Sequence, residues 1–429
     1  MPCSTALSAA TFALAWRQLP VPRHYRASVP DRAAAAQRRQ LMPFAALSAT
    51  YFAHIGFFNP YLALWLKHLG FGIVAISLLG SLQAATRLFA PFAWGALSDR
   101  TGERVKLLRW GASTALLGSM GLWFDFGVLW LCLVLVVMFT HTSSMMSMSE
   151  AAMAHLVSSG GSFDARRYGR VRLWGSLGFL VTVFAAGAWF ERFGMDHFPA
   201  WTMLTLLGVV ASAWCLPNIK EDTQIKAGVQ ALPLAAVLRQ APVRWLFASA
   251  FLHVLAQMGI YVFFSLYLDS LGYSKTMIGV LWAVSVVAEV GWFFSQSRWL
   301  PVCSLTAWLV VCAVVSVLRM GLTAGGAELL PVLMLAQLLQ AITFAAHHSV
   351  CIALMSHHFP GHLRGRGQAL YTVAAYGLPG VLAGVAGGAL ANLLGLRSIF
   401  VAATAISLTA TACAFRVWRL QHPAISARG

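Results

Sequence analysis

The sequence predicts an all-α membrane protein, with twelve transmembrane helices in two pseudo-symmetric halves of six. Three observations predict it: apolar stretches of membrane-spanning length recur about twelve times, the two halves share a repeat, and Lys and Arg fall mostly on one side. The 429 residues are 59% hydrophobic with a mean hydropathy of +0.72, well above the roughly 45–50% apolar content of soluble domains. No hydrophilic stretch between the spans is long enough to hold a further soluble domain.

Taken in order, the expected spans are 41–66, 73–97, 107–124, 127–157, 171–190 and 200–216, then 243–268, 275–297, 304–323, 329–356, 369–393 and 396–418. Each reaches the ~17–25 residues that cross a hydrocarbon core as a helix. Residues 1–40 are Arg-rich and acid-poor with an alanine run at Ala33 to Ala36, and are expected as a disordered tail. Their opening lacks the basic start of a secretory signal, and Met42 is an alternative start just before the first span. The stretch 217–242, with Lys220, Glu221, Asp222, Lys226 and Arg239, is the expected loop between the six-helix bundles 41–216 and 243–418, and 419–429 is a second tail.

The net charge of +17 raises nucleic acid as a partner, and the placement of the charges removes it. With the N-terminus inside, nearly all Lys and Arg lie in the first tail, the inner loops or the C-terminal end. Only Lys67, Arg192, Lys275 and Arg397 fall outside, and Arg87 and Arg319 lie within spans. This is the positive-inside pattern, which predicts two cytoplasmic termini in a bacterial inner membrane. The expected partners are the lipid bilayer and a small-molecule substrate, with the protein a monomer. Seven cysteines, Cys3, Cys132, Cys215, Cys303, Cys312, Cys351 and Cys413, show no Cys-x-x-Cys spacing and predict neither a disulfide framework nor a metal site.

The repeat is local and readable. Leu69-Gly70-Phe71 followed by Ile76, Leu78 and Leu79 returns as Leu271-Gly272-Tyr273 followed by Ile278, Val280 and Leu281, and Trp65-Leu66 returns as Tyr267-Leu268. Under the same offset Arg87 falls on Glu289, so the halves carry opposite charges at equivalent depth. Parallel halves of this kind place a substrate site near the membrane midplane.

Glu150, Arg172, Glu289 and Arg319 lie in or at the edges of apolar spans. Each such group costs about 2.5–3.5 kcal/mol at a helix centre on insertion scales, so several together imply mutual pairing or a water-lined path. That makes transport the first reading. An enzyme would need a nucleophile and base or a metal cluster; His357, His358 and His362 are the only cluster, set beside Arg364 and Arg366 without an acidic partner. No catalytic residue is expected.

After the second span, Gly95, Leu97, Asp99, Arg100, Gly102 and Arg104 match, position by position, a motif that resembles the signature of the major facilitator superfamily. On physical grounds Gly95 and Gly102 permit close helix approach and a tight turn, and Asp99 accepts charge-assisted bonds from Arg100, Arg104 or a helix end. The resemblance implies a latch on the cytoplasmic gate. Around the fourth and fifth spans, Glu150 and the run Tyr168-Gly169-Arg170-Val171-Arg172-Leu173-Trp174-Gly175-Ser176-Leu177-Gly178-Phe179 look like the segment of the lactose permease-like and phenylpropionate permease group, which also includes nucleoside symporter-like relatives. Phe57 to Gly70 and Gly272 to Glu289 fit the same group.

The resemblance implies that Glu150 and Arg172 grip substrate and that Phe179 stacks on it, an aromatic face giving oriented contact area. Ordinary packing for Phe179 and a headgroup anchor for Arg172 are the plain alternatives. Glu289 matches a carboxylate between substrate and proton; alternating exposure to Arg319 would switch its protonation, while a structural Glu289–Arg319 pair or a snorkelling Arg319 is the competing reading. His348 resembles a family histidine, and His54, His347 and His348 suit either a proton relay or packing. The chain departs from lactose permease around Gln340 and Thr343, which lack its paired His and Glu. Arg87 looks like an arginine of the phenylpropionate group, and a fixed guanidinium favours a carboxylate ligand; Asn59, Gln257 and Tyr261 are further lining candidates.

The expected function is proton-coupled symport of a small organic, preferably aromatic, carboxylate, with the proton as coupling ion and no other cofactor. A sugar or nucleoside symporter is the alternative. A drug exporter is disfavoured because the fifth span lacks a Gly-Pro motif, although Gly175, Gly178 and Gly187 give it flexibility.

Overall fold

The computed structural model describes residues 31–159, 162–163, 165–218, 234–359 and 363–421. The expected tail before residue 31, most of the expected central loop, Cys3 and His362 lie outside it, as do the side chains of Asp99, Arg172, Arg364 and Arg366.

Helix α1 (Asp31–His68) begins well ahead of the expected first span. Ala33 to Ala36 are the strongest helix formers, and Asp31 sits where an acid favours the positive end of the helix dipole. The second span is two helices, α2 (Ile73–Thr86) and α3 (Ala90–Thr101), interrupted at Arg87, Leu88 and Phe89. Pro91 in the first turn of α3 explains the break: it has no N–H to give the Arg87 carbonyl, and its ring crowds that carbonyl. Arg87 therefore sits at an irregular turn inside an apolar span.

The first half continues through α4 (Arg104–Ser119), α5 (Val128–Thr142), α6 (Met145–Val157), α7 (Ala165–Phe193) and α8 (Phe198–Trp214). A two-residue antiparallel pairing in the loop after α6 sets Ser158 opposite Phe163. After the short α9 (Leu234–Leu238), the second half comprises α10 (Ala241–Ser270), α11 (Lys275–Trp299), α12 (Leu305–Gly326), α13 (Leu330–Leu338), α14 (His347–His358), α15 (Leu363–Thr372), α16 (Leu378–Leu394) and α17 (Arg397–Gln421). Wider π-type turns, Ala341–Ala346 and Val373–Gly377, join α13 to α14 and α15 to α16. Among the described residues, 10 helical segments, the broken second span counted as one, are long and apolar enough to cross a membrane. The expected third and sixth spans are α4 and α8, which at 16 and 17 residues are slightly shorter.

The repeat seen in the sequence is a repeated turn. Gly70 (φ 85°) and Gly272 (φ 83°) both take the left-handed conformation that a Cβ disfavours. Phe71 N donates to the Leu66 carbonyl at 3.1 Å, and Tyr273 N to the Leu268 carbonyl at 3.1 Å, so the two helix ends close identically.

Packing divides the chain into two units. The first contains residues up to Phe58, Phe89–Ala186 and Asp196–Gln224; the second contains Asn59–Leu88, Gly187–Met195 and the chain from Ile225 onward. In the first unit, α1 and α7 touch backbone to backbone. A Cβ at Gly56 would come within 2.7 Å of the Phe179 carbonyl oxygen, and one at Gly178 would overlap the Ala49 carbonyl. Gly178 thus serves contact, where flexibility was expected. Thr182 Oγ1 donates to the Ala53 carbonyl at 2.7 Å across the same seam. Arg109 Nη2 donates to the Leu216 carbonyl at 2.6 Å and lies over Trp214, satisfying the C-terminal end of α8.

In the second unit, α2 lies on α16 through small residues. A Cβ at Gly384 or Gly388 would overlap Ser81 or Ser77, and one at Gly380 would overlap Ala84. Nearby, Lys67 pairs with Asp269 at 2.7 Å, Tyr61 OH donates to the Lys275 carbonyl at 3.1 Å, and Glu191 Oε2 accepts from Lys275 N at 2.5 Å. The C-terminal ends of α1 and α7, with α2, therefore pack in one body with the second-half helices.

Candidate functional site

The second unit holds a buried polar network built from four helices. Arg319 on α12 is fully enclosed at 0% exposure, so it does not snorkel. It survives there because its donors are met: Nε by the Ala336 carbonyl at 2.8 Å, Nη1 by Gln257 Oε1 at 2.9 Å, by Thr343 Oγ1 at 3.1 Å and by Gln340 Oε1, and Nη2 by Gln337 Oε1 at 3.4 Å. A buried ion without such partners would be strongly destabilising.

Glu289, on α11, is 5% exposed. Its Oε1 accepts from Gln340 Nε2 at 2.7 Å, and the same nitrogen donates to Tyr261 OH at 3.2 Å. The Gln340 amide therefore links Glu289 to Arg319. Tyr261 stacks on Trp282 with ring centroids 6.3 Å apart. Gln257, expected to line a substrate path, is buried against Arg319 in this network.

The geometry follows from helical spacing. His253, Gln257 and Tyr261 are four apart on α10, and Gln337, Gln340, Thr343 and His347 step by three or four along one face. The π-type turn at Ala341–Ala346 widens the helix there, and such turns often mark functional positions. His253 Nε2 donates to the Thr343 carbonyl at 2.6 Å, and its ring stacks on His347 at 3.7 Å. His348 Nδ1 meets Tyr376 OH at 2.8 Å, while its Nε2 has no hydrogen-bond partner. His54 belongs to the first unit, bonded to Thr205 Oγ1 at 3.0 Å and packed on Phe58.

The other expected substrate contacts are distributed. Asn59 Oδ1 accepts from Gln83 Nε2 at 3.2 Å in the second unit, which also contains Arg87, half-buried at the α2–α3 break. Glu150 is half-buried on α6 in the first unit, and Arg172 belongs to α7. Phe179 is only 2% exposed, so a stacking role requires its surroundings to open. His357 is exposed and His358 meets Gln421 at 3.1 Å; among the described residues no group of His, Cys, Asp and Glu is arranged to hold a metal.

A family model described as MFS_1 like family matches residues 45–402. The chain belongs to that family. It is 29% identical over 335 residues to a probable 3-phenylpropionic acid transporter of Escherichia coli (strain K12), covering 76% of this chain and 85% of that one. It is also 28% identical over 254 residues to the maltose permease of Geobacillus stearothermophilus, covering 57% and 61%. Among solved structures it resembles a nucleoside transporter with a TM-score of 0.79 at 14% identity, covering 88% of this chain and 99% of that one. The protein is thus a multi-pass membrane transporter of the major facilitator group, not an enzyme, and its cargo is a small molecule.

In this family member the motif spans the end of α3 and a compact turn. Gly102 (φ 66°) caps α3 in the left-handed conformation, with its N–H on the Ser98 carbonyl at 2.9 Å, and Arg104 Nε donates to Ser98 Oγ at 2.8 Å. Arg100 is exposed. A Cβ at Gly95 would meet nothing within 4 Å, so the close helix approach expected there is not made in this structure. Sequence reasoning missed His253 and Gln337. The readable signal was the recurrence of polar residues every three or four positions within apolar helices.

Proposed function

We propose that the protein is a proton-coupled symporter importing a small organic carboxylate, aromatic and phenylpropionate-like, across a bacterial inner membrane by alternating access of the halves 41–216 and 243–418. The observation that carries this reading is the buried chain Glu289–Gln340–Arg319, a titratable carboxylate and a fixed cation linked through one amide. A carboxylate at this depth can take up and release a proton as its distance from the cation changes. The relative that transports, by its name, 3-phenylpropionic acid supports the substrate class.

In this reading Arg87 is the cation for the substrate carboxylate, and Glu150, Arg172, Phe179, Asn59, Tyr261 and Gln257 complete the substrate contacts. Glu289, Arg319 and His348 handle the proton. Gly95, Asp99, Arg100, Gly102 and Arg104 latch the cytoplasmic side, where the positive-inside pattern also puts both termini. The test is uptake of labelled 3-phenylpropionate into vesicles with and without an inward proton gradient, with maltose and a nucleoside as competitors. Accumulation only under the gradient is expected. Equal uptake without it removes proton coupling, and transport of maltose or nucleoside unaffected by 3-phenylpropionate moves the substrate to another class.

A further inference from the structure

Three glutamine amides close on Arg319, and since a guanidinium only donates, each turns its oxygen inward. Gln257 Oε1 accepts at 2.9 Å, Gln337 Oε1 at 3.4 Å, and Gln340 Oε1 makes the third contact. The nitrogen ends of Gln257 and Gln337 meet no hydrogen-bond partner. Gln340 differs, because its Nε2 lands on Glu289 at 2.7 Å and on Tyr261 OH at 3.2 Å. Of the three amides it is the one oriented at both ends, oxygen against the cation and nitrogen against the carboxylate. It also immediately precedes the π-type turn Ala341–Ala346, whose Thr343 hydroxyl receives Arg319 and whose Thr343 carbonyl receives His253.

We propose that Gln340 is the positioning residue through which the charge on Glu289 is transmitted to Arg319 and to the π-type turn. This rests on the reading of Glu289 as the proton-coupling carboxylate. With Glu289 ionised, the N–H bond from Gln340 is charge-assisted, and the amide is pinned between opposite charges. A proton arriving on Glu289 leaves a neutral bond of about half the strength, while Tyr261 OH remains as the competing acceptor. The amide then loosens its hold on the guanidinium, and Arg319 can redistribute its donors along the turn. No proton passes through Gln340; the proton stays on the Glu289 carboxyl.

The test compares the unmodified protein in lipid vesicles with Gln340→Leu, Gln337→Leu and Glu289→Gln. At low pH, the infrared carbonyl band of protonated Glu289 is assigned by its loss in Glu289→Gln. In Gln340→Leu that band should move to higher wavenumber as its hydrogen-bond donor is lost, and in Gln337→Leu it should stay in place. In 3-phenylpropionate transport, Gln340→Leu should lower the ratio of gradient-driven accumulation to exchange about tenfold, the weight of one hydrogen bond to a charged group. Gln337→Leu, which removes an equal amide without a link to Glu289, should lower both modes together if it lowers either. An unmoved band in Gln340→Leu, or a ratio equal to that of the unmodified protein, overturns the proposal. Normal accumulation by Glu289→Gln instead overturns the reading of Glu289 on which it rests.

Discussion

Arg319 is tolerated in an apolar bundle because its partners are all neutral acceptors arranged around a planar donor. The buried charge itself contributes little stability, since desolvation offsets what the contacts return; its presence points to function. In the proposed function Glu289 is the group in this network whose charge changes during a cycle. Glu289→Gln keeps the size and an amide or carbonyl partner for Gln340 but removes the titration, so gradient-driven accumulation should fail while exchange of substrate persists. Vesicle assays that measure both modes check this, and a parallel loss of both with reduced folded protein would indicate a structural carboxylate. Glu289 and Arg319 were legible as candidate site residues because ionisable groups stand out in apolar spans. Gln340 was not, because an amide in a membrane helix carries no charge signal and its meaning comes from what lies at each end of it.

Helix contacts within each unit are made by absent side chains. Against α2, the α16 glycines Gly384 and Gly388 face Ser81 and Ser77 with no room for a Cβ. Gly388→Val should therefore push α2 off α16 at an overpacking cost of about 1–3 kcal/mol, lowering the thermal midpoint of the purified protein. Gly325→Ala is the comparator: a Cβ there meets nothing within 4 Å, and its midpoint should stay within error or rise slightly from helix propensity. Equal effects of the two variants would remove the packing argument. The broken second span belongs to the same level. The sequence predicts one span over 73–97, and the break before Pro91, with Arg87 placed at the irregular turn, needed the backbone.

Across the molecule, the internal repeat brings equivalent positions of the two halves together. Lys67 and Asp269 occupy matching places at the ends of α1 and α10 and pair at 2.7 Å, with 52% and 23% of their side chains exposed. An exposed pair is worth about 0–1 kcal/mol, small for stability yet enough to bias an open–closed equilibrium. Lys67→Asp should raise thiol labelling of a cysteine placed at the buried Ser77 about two- to fivefold, in a background without the native cysteines. The double exchange Lys67→Asp with Asp269→Lys should restore it, and high salt should narrow the difference. Labelling that ignores both exchanges would show that the α1–α10 pair has no bearing on access to Ser77.

The sequence alone determined the helical membrane fold, the repeated turn at Gly70 and Gly272, and the identity of Glu289 and Arg319 as charges that need an explanation. Hydropathy, residue spacing and the cost of charge in lipid are local properties, additive along the chain and independent of which helix neighbours which. Only the tertiary structure decided that Gln340 stands between Glu289 and Arg319, that Gly178 is a contact point for α1, and that α2 and the C-terminal ends of α1 and α7 pack in one unit with the second-half helices. Those facts depend on the rotation and depth of one helix against another. Such placement is settled by side-chain interlock over many residues at once, and no single stretch of sequence carries it.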